Sequence, residues 1–167
     1  RIGRGGSDVN SNVICGVNTL QNNTTGYYNT GVGYNSLASN TTGSYNTAFG
    51  VNALYPNTAD NNTAMGYNSL QANTTGNYNT AVGRTSLFTN TTGGVNVAIG
   101  WESQKTNTTG SANVSIGTNT LAANTTGSWN VAVGTYALVC NTTAIANTAV
   151  GRFSQMSTTT GNNNSSL

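Results

Sequence analysis

Large and small side chains alternate along this chain for only three positions at a time before an Asn or a Gly interrupts them, as in Val97-Ala98-Ile99, Val114-Ser115-Ile116 and Val131-Ala132-Val133. Short, alternating, β-branched segments of this kind predict strands. Gly, Asn and Thr recur throughout and are weak helix formers, which argues against helix. The pattern returns every 17 residues, nine times between Asn12 and Asn163, with a single-residue deletion near Pro56 and Asp60. So short a period predicts an all-β parallel solenoid, a β-roll or β-helix of nine coils. At the ordinary strand spacing of about 4.8 Å the rod is roughly 40 Å long.

We number each unit 1 to 17 from its opening Asn, taking Asn79 to Val95 as the type. Position 1 is Asn in every unit: Asn12, Asn29, Asn46, Asn62, Asn79, Asn96, Asn113, Asn130 and Asn147. Position 5 is always Gly: Gly16, Gly33, Gly50, Gly66, Gly83, Gly100, Gly117, Gly134 and Gly151. Both residue types enter left-handed backbone cheaply, so the two columns predict the corners that bracket a short strand. Position 9 is Leu except at Gln104 and Gln155, after a Ser, Thr or Ala at position 8, and predicts a second short strand. Positions 12 to 15 read Asn-Thr-Thr-Gly in most units and predict a turn. The Val, Ile and Leu columns are expected to form a thin core, flanked by Tyr28, Tyr45, Tyr78 and Trp129 at position 17. Position 3 is Gly, Ala or Ser from Gly31 onward, so either the opposite wall of the coil or another chain approaches it closely.

Three segments follow: an N-terminal arm (1–11), the solenoid (12–163) and a C-terminal tail (164–167). The arm is expected to cap the first coil or cross onto a neighbour, with Ile2 and Val9 as apolar anchors. Because the chain begins at Arg1 rather than Met, a secretion signal is expected to have been removed, or the chain to be a fragment.

Composition narrows the function. Only 5% of the 167 residues are charged and the net charge is +2, which leaves no basic groove for nucleic acid. Low hydrophobicity raises the question of disorder, yet strict column identity points to stacked coils. No apolar run reaches the length of a membrane helix. There is no His, the acids are Asp8, Asp60 and Glu102, and Lys105 is the sole Lys. These cannot assemble an acid–base pair, a triad or a metal cluster in one chain, so the protein is read as non-enzymatic, without cofactor or metal. Cys15, in the expected core column of position 4, and Cys140, in a loop, lie seven coils apart. That is about 34 Å, beyond disulfide reach within one solenoid.

The Asn-Thr-Thr column has three readings. Asn and Thr side chains can satisfy backbone groups in a turn ladder. Alternatively, Asn23, Asn40, Asn73, Asn90, Asn107, Asn124 and Asn141 are glycosylation sequons in exposed turns. Thirdly, regular Thr arrays can order water in an ice-binding face. Tyr34, Tyr67 and Trp101 at position 6, with Tyr136 and Phe153 at position 7, either offer rings to a sugar or protein partner or cover the corner and a neighbouring subunit.

The string Asn-[Thr/Val]-Ala-[Val/Ile]-Gly, best at Asn96 to Gly100, Asn113 to Gly117 and Asn130 to Gly134, resembles the head repeats of trimeric autotransporter adhesins, the YadA-like heads. Similar repeats occur in phage and large-virus fibre proteins. The resemblance implies a left-handed parallel β-roll that trimerises and binds host matrix or cells. This repeat is longer than the usual adhesin one, and these 167 residues contain no heptad stalk, neck or anchor barrel. The sequence therefore leads to a structural subunit of an extracellular fibre or filament, on a cell or virion surface. It self-associates as a trimer or end to end, and an adhesive role toward glycans or a cell-surface receptor is expected. The alternatives are the receptor-binding head of an adhesin or tail fibre, and an ice-binding solenoid.

Overall fold

The computed structural model describes residues 2–3 and 11–167, so Val9 lies outside the described residues. The chain is a parallel β-solenoid of nine coils, with no helix among the described residues. Each coil contributes one three-residue strand at positions 2 to 4: β2 Val13–Cys15, β3 Thr30–Val32, β4 Thr47–Phe49, β5 Thr63–Met65, β6 Thr80–Val82, β7 Val97–Ile99, β8 Val114–Ile116, β9 Val131–Val133 and β10 Thr148–Val150. Two shorter strands flank them, β1 Ile2–Gly3 and β11 Ser165–Ser166. All eleven form one sheet in sequence order.

Register holds column on column from end to end. Val97 pairs with Val114, Ala98 with Ser115 and Ile99 with Ile116, all parallel. The deletion does not disturb this, because Thr47 still pairs with Thr63. Ala59 O accepts from both Asn46 Nδ2 and Asn57 Nδ2, the role of the position-15 Gly elsewhere, so the missing residue is one Thr of the turn. β1 runs antiparallel to β2, with Ile2 opposite Cys15, so this part of the arm covers the first rung of its own chain. The expected tail instead adds a tenth rung, Ser165 pairing with Thr148.

Three expectations are corrected. First, no second strand forms at positions 8 and 9, where the chain turns tightly. The Leu column itself is left-handed, with φ between 49° and 52° from Leu20 to Leu138. Left-handed Leu costs roughly 1–2 kcal/mol per residue, and it is offset because the twist drives a whole side chain into the coil interior.

Second, the Asn column is not left-handed. The corners are made at positions 7, 9 and 17, for example Asn35, Leu37 and Tyr45, and at the Gly column, where φ runs from 119° to 144°. At Gly33 a Cβ would also lie 2.5 Å from Gly50 O of the next coil, so both backbone and neighbour demand Gly there.

Third, the Val and Ile of positions 2 and 4 are not core. With strand residues alternating faces, the inward side chain is position 3, which turns its two neighbours outward. The interior holds Ala48, Ala64, Ala81, Ala98, Ala132 and Ala149 packed toward the Leu column. Position 3 is small because the opposite wall is close: a Cβ on Gly31 would lie 2.5 Å from Thr19 Cγ2 and 3.6 Å from Leu20 Cδ1.

Candidate functional site: the buried amide ladders and the outer apolar face

The position-1 Asn residues hold the coil by their side chains. Each is buried, and its Oδ1 accepts the backbone N–H of the Asn one coil on, as from Asn46 N to Asn29 Oδ1 at 2.9 Å and from Asn79 N to Asn62 Oδ1 at 2.9 Å. Its Nδ2 donates across the coil to position 15, as from Asn96 Nδ2 to Gly110 O at 2.9 Å. Asn113, Asn130 and Asn147 repeat the arrangement. Asn is the residue that supplies donor and acceptor together at that reach.

The sequon asparagines form a second internal ladder. Asn23, Asn40, Asn73, Asn90, Asn107, Asn124 and Asn141 are buried, which corrects their expected placement in exposed turns. From Asn40 upward Nδ2 donates both hydrogens. Asn90 Nδ2, for instance, reaches Asn73 Oδ1 and Gly93 O, each at 2.9 Å. A glycan on that nitrogen would displace one hydrogen bond and would have to occupy the interior, so the folded coil has no place for it. Of the two turn Thr columns, position 13 donates its hydroxyl to the next coil, as from Thr91 Oγ1 to Thr108 O at 3.1 Å. Position 14 is exposed but absent from the third coil. A continuous double rank of exposed Thr hydroxyls does not exist on this turn.

The Leu column is interrupted by polar side chains. Gln104 is wholly buried, and its Nε2 donates to Val97 O at 3.1 Å and to Ser115 Oγ at 2.8 Å, while Ser103 and Ser115 share a hydroxyl contact. The apolar core is thereby divided into one cluster ending at Ala98 and a second beginning at Leu121. The motif recurs three coils on, where Gln155 Nε2 donates to Thr148 O at 2.9 Å and Ser154 contacts Ser166.

The outer surface is two-sided. Among the described residues, the exposed large apolar side chains all stand at positions 16, 17, 2, 4 and 6, apart from Tyr55, Phe153, Met156 and the terminal Leu167. Phe49, Met65, Ile99, Ile116 and Val150 project from the strands, as does the half-buried Cys15, which corrects its expected core placement. Cys140 is exposed and both thiols are unpaired. Tyr34, Tyr67 and Trp101 are each about half exposed in one column but are kept apart by Val51 and Arg84. Arg84 places its guanidinium 5.9 Å from the Tyr67 ring centroid.

A different aromatic group does converge. Tyr27, Tyr28 and Tyr45 have ring centroids 5.3 to 5.4 Å apart. A side-chain hydrogen bond with Tyr27, then desolvation and the nearby Tyr27, Tyr28 and Asp60 charges, hold the Tyr45 phenol above its ordinary pKa. The doubled Tyr27-Tyr28 at the turn was the available sequence signal. At the other end Tyr136 stacks on Phe153 at 5.4 Å, with Arg152 4.3 Å from the Phe153 ring centroid. Among the described residues the charged side chains do not gather: Lys105 pairs with Glu102 at 2.9 Å, and no group of three metal-ligating side chains occurs. No helix among them is long and apolar enough to cross a membrane.

Fold and surface define a tandem-repeat β-solenoid with a polar, amide-lined interior corner and an apolar outer strip. No known protein-family model, curated protein or solved structure matches the chain.

Proposed function

We propose that this chain is a non-enzymatic structural module of an extracellular fibre, associating side by side with copies of itself through the outer face of positions 2 and 4. The observation that carries this reading is the face itself. Through nine coils those two columns contain Val, Ile, Thr, Phe, Met and Cys and no charged residue, and none of the described residues covers them. Contiguous exposed apolar surface of this extent marks an interaction site. A strip roughly 40 Å long and, with its rims, about 20 Å wide presents on the order of 800 Å², the area a stable specific interface takes from each partner.

Parallel rods that each turn this strip toward a common three-fold axis cover it on every copy at once, in the closed trimer that the resemblance to adhesin heads and viral fibres implies. Strand addition at the first rung is disfavoured by the antiparallel cover of β1, which weighs against unlimited end-to-end growth there. The receptor-binding head remains the second reading, favoured by the convergent tyrosines. The arrangement of the turn threonines gives no support to ice binding.

Sedimentation and electron microscopy test the proposal. Discrete trimers are expected, and Ile99→Lys with Ile116→Lys is expected to release folded monomers. A wild-type protein that stays monomeric at high concentration would contradict lateral association, and rods of unlimited length would favour the filament subunit.

A further inference from the structure

We propose that the tyrosine cluster of the first three coils is a binding site for a neutral saccharide, which stacks on Tyr27, Tyr28 and Tyr45 and donates hydroxyl hydrogens to the Asp60 carboxylate. This deepens the receptor-binding reading and does not depend on which oligomer forms.

The cluster is built where the repeat breaks its own rules. In most coils column 16 carries a small or polar residue whose side-chain oxygen can cap the backbone N–H one coil below. Ser44 Oγ accepts from Tyr27 N at 3.1 Å, Asp60 Oδ1 from Ser44 N at 2.7 Å, and Asn77 Oδ1 from Asp60 N at 2.7 Å. Tyr27 is the only ring in that column and Asp60 its only acid, and Asp60 lies in the one coil whose turn is shortened. An Asn would serve the ladder as well as Asp60 does, as Asn77 shows. The carboxylate is therefore more than the backbone requires.

The geometry selects the ligand. Tyr27 meets Tyr28 at 78° and Tyr45 at 76°, while Tyr28 and Tyr45 are tilted by 32°. Rings whose centroids are only 5.3 to 5.4 Å apart touch each other, so no cage is left between them for an ammonium group. What remains is their outer surface, with the three residues 43%, 59% and 50% exposed. Tyr28 and Tyr45, tilted by 32°, with the Tyr27 ring standing nearly perpendicular beside them, give an angled aromatic surface edged by hydroxyls, which suits a pyranose with its apolar C–H face and its rim of donors. Asp60 is exposed and uses one oxygen on Ser44, leaving acceptor capacity for those donors. Columns 16 and 17 contain no Lys or Arg, so an anionic sugar would meet a carboxylate without a counter-charge. The Tyr45 phenol, held protonated by its bond with Tyr27, stays a neutral hydrogen-bonding group.

The experiment is an NMR titration of the tyrosine rings with cellotriose, chitotriose and methyl β-galactoside at about 10 mM, enough to occupy a millimolar site. Tetramethylammonium serves as the cation probe. Saturable shifts are expected at Tyr27, Tyr28 and Tyr45 with at least one saccharide, and not at Tyr34 or Tyr67. Tyr27→Ser and Asp60→Asn, each borrowing a residue the column already uses, are expected to weaken binding at least tenfold. No saturable shift with any of the three saccharides overturns the proposal, as does a response to tetramethylammonium alone or unchanged binding in Tyr27→Ser. Sedimentation of Tyr27→Ser separates the two readings. An unchanged oligomer keeps the cluster outside the subunit interface, whereas dissociation makes it part of that interface and overturns the saccharide site. Lateral association itself fails only if the wild type does not associate.

Discussion

Asn107 Nδ2 donates to Asn90 Oδ1 at 2.8 Å while also donating to Gly110 O at 2.9 Å. Each Asn of this column, from Asn23 to Asn141, is thus bonded both along the rod and within its own coil. A buried amide is costly when unpaired and inexpensive when every hydrogen is used, so the ladder is stable only as a continuous row. Asn90→Ala interrupts it and orphans Asn107 Nδ2, Asn73 and Gly93 in part. A loss of about 3 kcal/mol in urea unfolding is expected.

The upper end of the same row offers the opposite experiment. In the ninth coil Thr158 occupies position 12, and Asn141 Oδ1 below it is buried without a partner. Thr158→Asn is expected to supply that donor and raise stability by about 1 kcal/mol. A thermal melt that shifts downward would show that the end of the rod does not follow the ladder's geometry.

Burial of the sequon nitrogens makes a prediction for secretion from a glycosylating host. The soluble, folded fraction is expected to carry no N-glycan at Asn40, Asn73, Asn90, Asn107 or Asn124 by intact mass and peptide mapping. Folded protein occupied at Asn90 would contradict the inward orientation of this column.

Gln104 and Ser115 test what the polar interruption does. Ser stands at position 3 only at Ser115 and Ser166, each time in the coil after a Gln at position 9. If one coil were looped out, Gln104 would face Ala132 and lose that partner, so the pair penalises a slipped stack that the otherwise similar coils tolerate. Ser115→Ala alone is expected to cost about 1–3 kcal/mol. Gln104→Leu with Ser115→Ala is expected to be neutral or stabilising, yet to refold with more misregistered material, read as slow or multiphasic recovery.

The solenoid, its period and its in-register stacking were legible because column identity is itself the signal. Gly33 and Gly50 were legible as corners for the same reason. Orientation was harder to read. Val97-Ala98-Ile99 alternates correctly, but three residues do not say which face is inside, and hydrophobicity favoured the wrong one. The decisive fact is that the coil is too narrow for large side chains from both walls. It takes Leu from one wall and Ala from the other, and turns Ile99 outward. Nor could left-handed Leu87 or buried Asn90 be read from residue preference, since each pays locally for a contact made one coil away.

That inversion can be checked by contrast. Ala98→Leu overfills the interior and is expected to cost about 1–3 kcal/mol. Ile99→Ser, one residue on, is expected to leave the coil folded, with helix-free circular dichroism unchanged, and to loosen self-association instead. A reversed outcome would put Ile99 inside.

The central claim, that each 17-residue unit lies directly on the one before, is tested most directly by changing the number of units and measuring length. Duplicating 79–129, three whole coils, is expected to give a folded rod longer by about 14 Å in solution scattering, one strand spacing per coil. A particle that thickens rather than lengthens, or that unfolds on receiving whole coils, would contradict the stacked architecture.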